Sequence, residues 1–166
     1  MVKTLKLAQP PGIRSTGGLH HPYEVAATGS AKLPDFLCDL NEFCADYSIE
    51  EFNRTIRADL YATVTKALDG TLTYECEERG AGSGTVCKIA SQQGVLEARL
   101  EGTASAGKRL HVRLFFSEPE SVDGLILLLG TLLKEDYPIG KQQQNQHAGV
   151  CQRRGDDWLT NLDKSC

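Results

Sequence analysis

The chain changes hydrophobic period twice. Between positions 33 and 46, Leu33, Phe36, Leu37, Leu40, Phe43 and Cys44 recur at three- and four-residue spacing, which predicts an amphipathic helix. A second stripe, Ile49, Phe52, Ile56, Leu60, Val64 and Leu68, predicts another helix. Ser48 with Glu51 reads as its capping box, and Asp69-Gly70 as its stop. The short link makes the two helices an antiparallel pair. The period then falls to two. Strands are predicted over 86–90, 94–101, 109–117 and 125–133, and the last is apolar on both faces, hence interior to a sheet. Gly102, Gly107 and Asp123-Gly124 stand where hairpin turns need them. A short strand over 23–27 precedes the helices. A helix over 141–162, Gln-rich at its start and carrying Val150, Trp158, Leu159 and Leu162, closes the chain.

This order predicts an α+β domain. The expected architecture is an antiparallel sheet of four to five strands, with two N-terminal helices packed on one face, and a C-terminal helix. The other sheet face is expected to be open. Residues 1–22 hold Pro10-Pro11-Gly12, Gly17-Gly18, His20-His21 and Pro22 without periodicity, and read as a flexible N-terminal arm. Residues 23–166 read as a single domain, since 166 residues suffice for one real core.

Composition changes little in this picture: 40% hydrophobic and 24% charged is ordinary for a globular chain. The formal charge of −4 argues against whole-molecule attraction to nucleic acid, so polyanion binding requires a local patch. One exists. Lys88, Arg99, Lys108, Arg109 and Arg113 fall on predicted strands against only Glu97 and Glu101, whereas acids gather on the helices from Asp35 to Asp59. Leu125 to Leu133, the longest apolar run, is too short to span a bilayer, and no leader is visible, so the expected location is cytoplasmic with reduced thiols. The six cysteines show no CxxC or zinc spacing, so no metal is expected. Gly80-Ala81-Gly82-Ser83-Gly84 lacks the Gly-Lys-Ser/Thr of a phosphate-binding loop.

The candidate chemistry centres on Arg109-Leu110-His111-Val112-Arg113-Leu114. Alternation puts Arg109, His111 and Arg113 on one face, an arrangement suited to an anion. A solvated strand face is the plain alternative. A third reading makes Cys87, beside Lys88, a reactive thiol.

Several stretches together resemble the RelE/HigB toxin superfamily, and within it the phage-derived HigB-like branch of type II toxin–antitoxin toxins. They are Leu33-Pro34-Asp35-Phe36-Leu37-Cys38-Asp39-Leu40, Lys88-Ile89, Gly94-Val95-Leu96-Glu97-Ala98-Arg99, Leu110-His111-Val112-Arg113-Leu114-Phe115-Phe116, and Leu125-Ile126-Leu127-Leu128-Leu129-Gly130 followed by Lys134 and Pro138. The likeness extends over residues 23–161. It implies a RelE-like fold and a metal-independent, ribosome-dependent messenger RNA endoribonuclease, in which the ribose 2′-hydroxyl attacks the adjacent phosphorus.

On that resemblance the catalytic residues are Arg99, Arg113, His111, Lys134 and Tyr137. The RNA contacts are Lys88, Lys108, Arg109 and Lys141. The implied partners are a cognate helix-turn-helix antitoxin and messenger RNA on the ribosome, with no membrane and no small-molecule cofactor. The alternative on the same scaffold is a non-catalytic protein-binding module that has lost nuclease activity.

Overall fold

The computed structural model describes residues 1–8, 24–45, 50–73, 85–103, 109–134 and 138–165. Eight elements follow one another: β1 (Glu24–Ala27), α1 (Asp35–Ala45), α2 (Glu50–Leu68), β2 (Val86–Lys88), β3 (Leu96–Thr103), β4 (Arg109–Ser117), β5 (Leu125–Lys134) and α3 (Ile139–Leu162). Their order and type agree with the periodicity. Ser48, the expected cap of α2, lies outside the described residues, as does Gly107. The far end of α2 closes with Thr71 N–H donating to the Lys66 carbonyl, five residues back.

The strands form one sheet in the order β1-β5-β4-β3-β2. Three pairings are antiparallel, but β1 runs parallel to β5, from Glu24 opposite Leu125 to Ala27 opposite Leu128. The sheet is therefore mixed, which corrects the expected antiparallel sheet. Hydrophobic period marks a strand but says nothing of its neighbour's direction, and the long excursion between β1 and β5 permits a parallel return.

Both sheet faces are packed. Leu96, Ala98, Leu100, Val112, Leu114, Phe116, Ile126 and Leu128 meet Phe36 and Leu40 of α1 and Ile56, Leu60 and Ala67 of α2. On the alternate positions, Phe115, Leu127, Leu129 and Leu132 meet Ala148, Cys151 and Leu159 of α3. The face expected to be open thus carries α3 over part of its area. Coverage from both sides explains why β5 reads apolar throughout.

Part of the expected arm is anchored rather than free. Leu5 is fully buried, and Leu7 forms a bridge with Pro119. Leu5 N–H donates to Asp156 Oδ1 at 2.6 Å. Gln152 of α3 donates to the Leu5 carbonyl at 2.8 Å and accepts from Gly94 N–H at 2.9 Å. Leu5 fits only because residue 155 is glycine: a Cβ there would lie 2.3 Å from Leu5 Cδ2. Lys3 adds an exposed ion pair with Asp163. A pair of leucines two apart is too brief a pattern to register as an element. Residues 9–22 of the arm lie outside the described set.

Candidate functional site

The candidate site grows out of strand register. Residues directly opposite in an antiparallel pair share a face, with Cα atoms about 4.5–5.5 Å apart, and the next row lies about 7 Å along the strand. Cys87, Glu97 and Phe115 make one row across β2, β3 and β4. Arg99, Arg113 and Leu132 make the next, across β3, β4 and β5. His111 and Lys134 stand opposite each other in the third. Four of the expected catalytic residues, Arg99, Arg113, His111 and Lys134, are therefore gathered on one sheet face. Tyr137 lies outside the described residues, and so does Lys108. Arg109 is opposite Thr103 in β4, and its side chain is outside the description.

Two other expectations fare differently. Lys88 pairs with Leu96, whose side chain belongs to the α1–α2 core, so Lys88 is one residue out of phase with the cationic rows. Lys141 is exposed in the first turn of α3, three residues before Gln144.

At the centre is an ion pair between Glu97, 2% exposed, and Arg113, 8% exposed. Arg113 Nε lies 2.9 Å from Glu97 Oε1, although its N–H is not aimed along that line. Arg113 Nη1 donates to the Val112 carbonyl at 3.0 Å. Gln144 of α3 donates its amide to the other Glu97 oxygen, Oε2. Two arginines directly opposite in a sheet repel; the carboxylate two residues from Arg99 moderates that repulsion.

The electrostatics follow from burial and crowding. Burial pushes the Glu97 carboxyl above the usual carboxylate range, against the pull of Arg113, Lys134 and Arg99. Burial pulls Arg113 down, and Glu97 partly restores it. Lys134, half-buried at the end of β5, is held below the usual amine range by desolvation and by the Arg113 charge. His111 is exposed. Cys87 is half-buried, in no disulfide, and near enough to act electrostatically on Arg113 and Lys134.

A second polar cluster joins α1, β5 and α3. Asp39 is 6% exposed. It accepts from Arg154 Nη1 at 2.7 Å and Nη2 at 2.9 Å, and from Thr131 N–H at 3.1 Å, and it faces His147 Nε2 at 3.1 Å. Thr131 lies past the end of β1, where the edge of β5 is no longer paired, so Asp39 and the Phe36 carbonyl take over its backbone and hydroxyl. A register shift at Phe115/Phe116 leaves Leu129 without an opposite residue, and its carbonyl accepts from Arg154 Nη1 at 2.9 Å. Residue 130 must be glycine for this closeness: a Cβ would lie 2.7 Å from Asp39 Oδ2 and 2.8 Å from Cys151 Sγ. Cys151 is fully buried, and burial pushes its thiol up, so it is inert.

Sequence reasoning missed Gln144, Asp39, His147 and Arg154. Each interrupts an apolar stripe: Gln144 leads the buried series Ala148, Cys151, Gln152, Gly155 and Leu159 of α3, and Asp39 stands between Phe36 and Leu40. A polar residue inside an otherwise core-facing stripe was the available signal. Among the described residues no trio of His, Cys, Asp and Glu is placed to hold a metal ion, and no helix is long and apolar enough to cross a membrane. Compared with protein-family models, curated proteins and solved structures, the chain matches none.

Proposed function

We propose that the β3–β4–β5 face binds and cleaves single-stranded RNA, as the resemblance to RelE/HigB toxins implies, with messenger RNA on the ribosome as substrate. The observation that carries this reading is the placement of Arg99, Arg113 and Lys134 in adjacent rows of one sheet face, beside the buried Glu97 carboxylate. The guanidinium heads of Arg99 and Arg113, on adjacent strands, suit the scissile phosphate, whose charge rises in the transition state. Arginine forks meet phosphate oxygens two at a time.

In this reading Lys134 accepts the 2′-hydroxyl proton as that oxygen attacks phosphorus. Its lowered amine pKa brings it nearer to a working base at neutral pH. His111, exposed opposite Lys134, donates the proton to the departing 5′-oxygen. The products are a 2′,3′-cyclic phosphate and a 5′-hydroxyl, and the scheme requires no metal or cofactor. A helix-turn-helix antitoxin covering the cationic face is the corresponding partner, and the cytoplasm the corresponding compartment. An arrangement with both N-terminal helices on one sheet face belongs to the same RelE-like reading.

One observation favours the second reading, a non-catalytic binding module: Arg113 is already engaged by Glu97 and by the Val112 carbonyl. The test is direct. The purified chain is incubated with a defined messenger RNA, with and without translating ribosomes, and the product ends are identified. Wild type yields cyclic-phosphate ends, and Lys134→Met reduces the rate about 10²-fold or more, the usual contribution of a positioned proton-transfer group. RNA left intact under both conditions defeats the nuclease reading and leaves the binding module.

A further inference from the structure

Gln144 stands where α3 should be apolar. The buried stripe of α3 runs through Gly140, Ala148, Cys151, Gln152, Gly155 and Leu159 at three- to four-residue intervals, with one larger gap. Gln144 falls midway across that gap, half-buried, and spends its amide on Glu97 Oε2. The other Glu97 oxygen holds Arg113. A chain of two contacts thus links the last helix to the central guanidinium of the cationic face.

We infer that Gln144 is a positioning residue: by holding one oxygen of Glu97 it fixes the other on Arg113, so that the seating of α3 sets where the Arg113 guanidinium points. The inference rests on the proposed RNA-cleaving face for its catalytic consequence, while the positioning itself can be measured without RNA. A carboxylate bound by one arginine through Nε alone can swing about its side-chain bonds. A second donor on the far oxygen removes that freedom. Gln144 also favours the ionised form of Glu97, because an amide N–H bonds a charged carboxylate oxygen more strongly than the oxygen of a neutral acid.

The groups facing Glu97 define what else can move its titration. They are Arg99 on its own strand, Cys87 opposite on β2, Arg113 on β4 and Lys134 on β5. From α3 comes Gln144, with His147 one turn on, against the Phe115 ring and held by Asp39. Of the groups just named, Gln144 is the one that reaches the Glu97 carboxylate from α3, so substitution there tests that contact.

The experiment uses the full chain as wild type, Gln144→Leu and Gln144→Lys. Carbon-detected NMR follows the Glu97 carboxyl through a pH titration, and the Arg113 Nε–H signal reports the guanidinium. In Gln144→Leu the Glu97 titration moves to higher pH by about one pH unit, the equivalent of one hydrogen bond to a charged group. The Arg113 signal shifts or broadens with it. Gln144→Lys, which restores a donor, returns both towards wild type. If wild type cleaves RNA, Gln144→Leu lowers kcat about tenfold with KM little changed, and moves the acid limb of the pH–rate profile upward in step with the carboxyl. An unmoved Glu97 titration and Arg113 signal in a folded Gln144→Leu variant overturn the inference, whatever RNA does. A moved titration with unchanged kcat and acid limb in an active enzyme overturns its catalytic consequence. Absence of RNA cleavage by wild type refutes the proposed function alone, because the NMR arm still decides the positioning.

Discussion

Asp39 and Glu97 each remove a carboxylate from water beside an arginine, on opposite sides of β5, and burial has opposite outcomes at the two. Burial alone pushes the Asp39 carboxyl up, but the hydrogen bonds and charges of Arg154 and His147 together hold it below the usual carboxylate range. Arg154 is raised in return, chiefly by its hydrogen bonds to Asp39. Glu97 has more cations nearby yet stays above the usual range. What differs is depth, with Glu97 the more buried, and aim. Arg154 presents two aligned N–H groups to Asp39 and the backbone supplies a third, whereas Arg113 approaches Glu97 through one misaligned Nε–H. Depth of burial and aligned donors, rather than the mere nearness of positive charge, decide whether a buried acid is comfortable. The joint at Asp39 is closed upon itself, whereas the Arg113 Nε–H beside Glu97 is left without an aligned acceptor.

Breaking the closed joint should have the largest effect. Arg154→Ala leaves Asp39 buried without its fork and is expected to cost about 3–5 kcal/mol, read from the urea midpoint. Neutralising the acids sharpens the contrast. Asp39→Asn should cost about 1.5–3 kcal/mol at pH 7, the value of hydrogen bonds to a charged group. Glu97→Gln should cost less than Asp39→Asn, because folding already works against the ionised form of Glu97. Equal losses in the two variants would refute the comparison.

The pH dependence separates the two acids by sign. Asp39, lowered from 3.8, contributes stability that is present above that value and lost as pH falls through its folded-state value. Glu97, raised from 4.5, contributes stability present below that value and lost as pH rises through its folded-state value. Urea midpoints measured from pH 2 to 8 should therefore lose their acid-side fall in Asp39→Asn, and lose part of their decline above pH 4.5 in Glu97→Gln. The smallest stability effect belongs to the open end of the cluster. Lys134→Met and His111→Ala should each change stability by no more than about 0.5 kcal/mol, as surface substitutions do. RNA cleavage should nevertheless fall in both, more steeply in Lys134→Met.

The strands and helices were legible because their apolar periods are long and regular: α2 carries Ile56, Leu60 and Val64 at four-residue steps, and β4 alternates cleanly from Leu110 to Leu114. Alternation also placed Arg113 and His111 on a common face, and register then added Arg99 and Lys134. The parallel partner of β1 was not legible, since nothing within Glu24–Ala27 encodes the direction of a strand a hundred residues away. Nor was the covering of the cationic face by α3, because a Gln-rich helix start reads as solvent-facing until Glu97 is seen beneath Gln144. Arg113 itself reads as a ligand for an external anion. Its partner on the neighbouring strand makes it equally a core residue, a distinction that only pairing can draw.

Leu5 is held by groups some 150 positions later, at Gln152, Gly155 and Asp156. During synthesis this segment emerges early and finds its slot only once the terminal helix has been made. Closing so long a loop is slow, since its entropy is lost before any contact rewards it. The Leu5 segment is thus among the last to settle, and a polypeptide stalled before α3 would leave Leu5 exposed to water beside an uncovered sheet.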